Sequence, residues 1–193
     1  MSVMNTKKLV FLSLLTALAL VISLIEQMFP VPIGVPGAKL GLSNVVILTT
    51  LVVFGFKEAL VVAILKSTLL MLITGSVVSF WYSLAGAISS SVGMALAYRF
   101  FTPPFSLIGV SEIGAVSHNF GQLTVAMIVF SNYKLYYYMP VLTLLGVATG
   151  LFVGLSAKFL SKHLARVIPK QKGVSHEEQA SVREELKDQG DRS

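Results

Sequence analysis

Residues 8–29 read KLVFLSLLTALALVISLIEQMF, with no charged residue between Lys8 and Glu26. A bilayer core about 30 Å thick needs about 20 mostly apolar residues of helix to cross it, and this run supplies them. Lys7 and Lys8 ahead of Ala17-Leu18-Ala19 have the outline of a secretory leader. The apolar run continues to Ile25, however, beyond the roughly 7–15 residues of a leader's hydrophobic region. The segment reads as an uncleaved first transmembrane helix.

The same pattern recurs along the chain. Residues 30–39 (PVPIGVPGAK) hold three prolines and two glycines, which end the first helix. A short second span runs from Leu40 to Gly55 and a third from Glu58 to about Thr74; a single broken hairpin is the alternative for this pair. The fourth extends from Val77 to Phe101, stopped by Pro103-Pro104. The fifth covers Leu107 to Phe130. The sixth runs from Tyr138 to Phe159 and continues as a basic stretch to Val167. The expected fold is an all-α integral membrane bundle of six transmembrane helices over residues 1–167. A polar tail of mixed charge, 168–193, is expected to be disordered in the cytosol.

Composition agrees. Of the 193 residues 54% are hydrophobic and 12% charged, at a mean hydropathy of +0.79. Soluble domains carry about 25% charge. Net charge is +6, but the basic residues flank apolar segments and form no stripe, which argues against a nucleic-acid partner. Six spans put both termini on one side. Lys7, Lys8, Lys57, Arg99, Lys158, Lys162, Arg166, Lys170 and Lys172 fall on that side, against Lys39 and Lys134 on the other. The positive-inside rule makes that side cytoplasmic, in the cell membrane.

Polar groups within the spans mark places to look. Lys66 falls near the middle of the third helix, where an ionisable group costs about 2.5–3.5 kcal/mol and calls for a partner. Glu112 is the candidate for an intramembrane pair with Lys66; a structural lysine and a substrate- or coupling-linked one are both open. Glu112, His118, Asn119 and Gln122 form one broad polar arc on the fifth helix, with Gly114 and Gly121 beside it. Interhelical hydrogen bonding and a polar pocket both fit that arc. Lys39, Ser43 and Asn44, then Trp81 and Tyr82, gather at the expected outer face, along with Glu26. An aromatic belt accounts for Trp81 and the tyrosines without any ligand. The proline-stiffened segment 30–44 fits either a lid over a pocket or a cap that seals the bundle.

Catalytic signatures are sparse. No Asp precedes Asp188, so the body lacks an Asp-rich magnesium–diphosphate site. No phosphate-binding loop of the G-x-x-x-x-G-K-[ST] type occurs. There is no cysteine, and His163 and His176 lie in the basic end region, so no metal site or cofactor is expected. Gly146, Gly150 and Gly154 repeat G-x-x-x-G in the sixth helix, a sign of close helix packing.

Pro36-Gly37-Ala38-Lys39-Leu40-Gly41-Leu42-Ser43-Asn44, Gly55-Phe56-Lys57-Glu58-Ala59-Leu60, and Phe105 to Val110 running into Gly114-Ala115-Val116-Ser117-His118-Asn119-Phe120-Gly121-Gln122-Leu123 resemble the Gx transporter family. That family, often labelled heptaprenyl diphosphate synthase component I, is similar to the substrate-binding S components of energy-coupling factor (ECF) transporters. The resemblance covers about residues 7–166. It implies capture of a small cofactor, vitamin or isoprenoid- or quinone-related precursor under the 30–44 segment. Lys39, Ser43, Asn44, Lys66, Trp81, Tyr82, His118, Asn119 and Gln122 are the candidate binding residues. It further implies docking to an ECF coupling subunit and its ATPases, for which Ser13-x-x-x-Ala17 on the first helix approximates the usual small-residue contact. The alternatives are a non-catalytic membrane accessory subunit of polyprenyl diphosphate or menaquinone synthesis, partnered by a soluble prenyl synthase, and a membrane scaffold in an electron-transfer assembly.

Overall fold

The computed structural model describes residues 6–28, 39–101 and 106–167. Among them every element is helical. α1 is Thr6–Met28, α2 Asn44–Phe54, α3 Phe56–Thr74, α4 Val77–Phe101, α5 Leu107–Phe130 and α6 Met139–Val167, with a 3-10 turn, Tyr133–Tyr138, leading into α6. The 30–38 part of the expected lid, Pro103-Pro104 and the 168–193 tail lie outside the described residues.

The exterior is apolar. Leu14, Leu72, Phe100, Ile128, Leu144 and Phe159 all point outward and exposed. The interior holds Glu26, Lys39, Lys66, His118 and Gln122, all buried. That arrangement inverts a water-soluble protein and suits a lipid solvent, in which helices satisfy their own backbone groups. Four helical stretches among the described residues are long and apolar enough to cross a membrane: α1, α4, α5 and Tyr133–Arg166.

α2 departs from the expected second span. It has eleven residues, about 16 Å at the usual rise of 1.5 Å per residue, well short of a bilayer core. It lies in the middle of the bundle, packed by α1, α3 and α6, and touched by α4 and α5. Val46, Ile47, Leu48 and Thr49 are fully enclosed. Its two threonines are satisfied locally: Thr49 Oγ1 donates to the Val45 carbonyl and Thr50 Oγ1 to that of Val46, each at 2.7 Å. A single residue, Gly55, separates α2 from α3. Its N–H donates to the carbonyls of Leu51 (3.0 Å) and Thr50 (3.2 Å), and its own carbonyl accepts from Ala59 N at 3.1 Å. A φ of 101° permits this reversal and favours glycine. The broken-hairpin alternative therefore describes the α2–α3 pair better than two equal spans.

α5 packs chiefly against α4 and α6. Toward α4, a Cβ at Gly121 would lie 2.6 Å from the Ala85 carbonyl oxygen, and one at Gly114 2.5 Å from Met94 Cγ. Toward α6 the glycine repeat does what its spacing suggests: a Cβ at Gly154 would lie 2.6 Å from Ile108 Cα. Ser111 donates its hydroxyl to the Gly150 carbonyl across the same seam. Small residues thus let three helices approach at backbone distance, and packing replaces the hydrophobic drive that lipid does not supply. At the far end of α1, Lys8 forms an ion pair with Glu58 of α3.

Candidate functional site

Glu26 ends the buried face of α1, three residues after Ser23, so both side chains point the same way. One Glu26 carboxylate oxygen accepts from the backbone N–H of Gly41 and from that of Leu42 at 3.3 Å. The carboxylate thereby holds the chain as it turns into α2. Gly41 has a φ of 81°, and a Cβ there would meet His118 Cδ2 and Asn44 Nδ2, both at 2.9 Å. Glycine is needed at this position for both reasons.

Lys66, 1% exposed, reaches this turn from α3. Its ammonium donates to Ser43 Oγ at 2.6 Å and to Ser23 Oγ at 3.4 Å. The expected Lys66–Glu112 pair does not form. Glu112 lies on the other side of α5, where a Cβ at Gly150 would be 2.7 Å from its Oε2.

Gln122 closes the site from α5. Its Oε1 accepts from Lys39 N at 2.8 Å and its Nε2 donates to Lys39 O at 3.0 Å. His118, one turn earlier and 2% exposed, is held between Gly41 and Gly86 of α4; a Cβ at Gly86 would lie 2.6 Å from its Cε1. The Lys39 side chain is buried as well. Burial pushes its ammonium down to about 8, against the opposing pull of Glu26.

The sequence-expected residues thus divide. Lys39, Ser43, Asn44, Lys66, His118 and Gln122 converge on one buried cluster. Tyr82 is fully buried one turn from Gly86 on α4, packed with Leu123, Ala126 and Leu142. Trp81 is 51% exposed and edge-on to Phe80, on the outer surface as a belt residue would be. Asn119 bonds instead to the Leu142 carbonyl of α6 at 2.8 Å. The single polar arc on α5 is therefore two faces. Successive residues are about 100° apart around a helix, so His118 and Asn119 address different neighbours. Ser13 and Ala17 are exposed on α1.

Glu26 and Ser23 are the cluster members that residue-type reasoning did not assign to binding. Their i, i+3 spacing on α1 is the signal that places them on one face. Gly86 has no such signal, because its role is defined only by His118.

Five buried atoms in and around this cluster have no hydrogen-bond partner among the described residues: Glu26 Oε2, Lys39 Nζ, Asn44 Oδ1, and Nδ1 and Nε2 of His118. The arrangement offers an ammonium, an imidazole and an amide oxygen to anything that enters. Among the described residues no group of three or more His, Asp or Glu is set to hold a metal ion.

No curated protein and no solved structure matches the chain. A family described as heptaprenyl diphosphate synthase component I matches residues 15–160, from α1 nearly to the end of α6. That description names one component of a synthase, and the chain has no Asp before Asp188. With that match spanning all six helices, the chain belongs to the heptaprenyl diphosphate synthase component I family.

Proposed function

We propose that this chain is a multi-pass accessory subunit of the cell membrane that works beside a separate, soluble prenyl diphosphate synthase. In this reading the helical bundle lies in the bilayer with α2 enclosed inside it, both termini face the cytoplasm, and the cluster around Lys39, Lys66 and His118 holds a ligand for the synthase reaction. Family membership over residues 15–160 is the observation that carries it. The chemistry supports a non-catalytic role. Prenyl transfer needs a set of carboxylates to hold magnesium and diphosphate, and the bundle offers Glu26, Glu58 and Glu112 at separate places. Glu58 is paired with Lys8, and Glu112 faces Gly150. The test is to purify the tagged chain from its own membranes and assay the eluate for prenyl transfer. A synthase subunit should co-purify, and its activity or product length should change when this chain is removed. Equal activity and product length without it would dismiss the reading.

A second reading follows from the unpartnered buried atoms beside residues 39–44. An S-component-like protein would capture a small molecule there and deliver it inward, with the exposed Ser13 and Ala17 as a docking face for a coupling subunit. Mass spectrometry of small molecules retained by the purified chain separates the two. A water-soluble cofactor precursor favours capture, and a lipid intermediate favours the accessory role.

A further inference from the structure

The charge of the buried cluster does not balance. Lys39 and Lys66 contribute two ammonium groups, and Glu26 contributes one carboxylate. Lys66 spends two of its three donors on Ser43 and Ser23 and so holds the turn. Glu26 spends one oxygen on the Gly41 and Leu42 amides. The Lys39 ammonium has no hydrogen-bond partner among the described residues, and neither has the Asn44 amide oxygen or a nitrogen of His118, whose ring lies against the Gly86 backbone. Each of these residues is more than nine-tenths buried. An uncompensated charge in a low-dielectric interior is heavily penalised, so the site is complete only when something negative enters.

We propose that this cluster binds a phosphate monoester group in its singly charged form, with Lys39 and His118 as donors to its oxygens and Asn44 as acceptor of its P–OH. This rests on the reading of the cluster as the chain's ligand site. The donor set selects the class. One negative charge balances the second lysine. The ammonium and an imidazole N–H both supply hydrogen bonds to oxygen. Asn44 Oδ1 requires a donor from the ligand, which a carboxylate or a sulfate at neutral pH lacks and a protonated phosphate has. The same chemistry is present in free phosphate and in the end group of a phosphorylated lipid.

The test uses the full chain in phosphatidylcholine vesicles at matched ionic strength, with thermal unfolding followed by circular dichroism. One arm adds inorganic phosphate, a second adds sulfate, and a third replaces part of the lipid with phosphatidic acid. Phosphate or phosphatidic acid should raise the unfolding temperature with the logarithm of its concentration, as expected for a ligand of the folded state. A response to both assigns a free anion site, and a response to phosphatidic acid alone assigns a lipid end group. Sulfate should act at least tenfold more weakly than phosphate. K39M should abolish the phosphate response. N44D should abolish it too and unfold at a higher temperature than the parent without added anion, because it brings the missing charge itself. Equilibrium dialysis of the parent chain against labelled phosphate, or against labelled phosphatidic acid in mixed micelles, keeps the test independent of variant folding; about one bound per chain is expected. No saturable binding of either probe, or a phosphate response that survives in K39M, overturns the proposal. Because no synthase is present, the result stands apart from whether one co-purifies.

Discussion

Gln122 and Lys39 are joined through two hydrogen bonds, one each way, between the glutamine amide and the backbone N–H and carbonyl of the lysine. The pair spans 83 positions of sequence and ties the entry to α2 onto α5. It satisfies a backbone N–H and a backbone carbonyl that lie buried outside any helix and so have no helical partner.

Gln122→Leu keeps the volume and removes both bonds. The Lys39 N–H and carbonyl are then left unsatisfied at about 1–3 kcal/mol each. Unfolding in detergent or vesicles should show a loss of that size, while Asn119→Leu, which frees a single carbonyl of α6, should lose about half as much. Equal losses would mean that the paired geometry adds nothing.

Lys66 and Glu26 hold the same turn into α2, Lys66 through Ser43 and Glu26 through the Gly41 and Leu42 amides, whereas Glu112 faces Gly150. A double-mutant cycle on Lys66→Met and Glu26→Gln should give a coupling energy above about 1 kcal/mol, and the matching cycle with Glu112→Gln should give less than about 0.5 kcal/mol. The reverse order would restore the pairing expected from residue types alone.

Gly86→Ala puts a methyl group 2.6 Å from the His118 ring. Overpacking of this kind costs about 1–3 kcal/mol, and His118→Ala on the same chain should recover most of it. Gly75→Ala offers a comparison without crowding. It has a φ of 67° and nothing within 4 Å, so its cost should stay near 1 kcal/mol, and no substitution at His118 should relieve it. Thermal unfolding of the four variants checks both statements.

Because the chain has no cysteine, a single one can report orientation. Lys57→Cys and Lys134→Cys, both at exposed positions, should react with a membrane-impermeant thiol reagent from opposite sides of sealed vesicles, Lys57→Cys from the cytoplasmic side. Labelling from one side by both would remove this orientation.

The helices were legible in the sequence because their causes are local. An apolar run long enough for a bilayer, ended by Gly, Pro or a polar cluster, specifies where a helix starts and stops; Val77–Phe101 and Leu107–Phe130 stand where the pattern places them. The polar residues of the site were legible for the same reason, since Lys39, Lys66, His118 and Gln122 are costly in an apolar setting wherever they point. Their partners were not. Whether Lys66 meets Ser23 and Ser43 or Glu112 depends on how α1, α3 and α5 rotate about their axes when small residues let them close. Whether α2 spans or sits inside depends on what surrounds it. The sequence by itself determined the solvent this protein folds for and the segments that cross or enter it. Only the tertiary structure decided which charges share an interior, because helix rotation and depth come from packing between segments far apart in the chain.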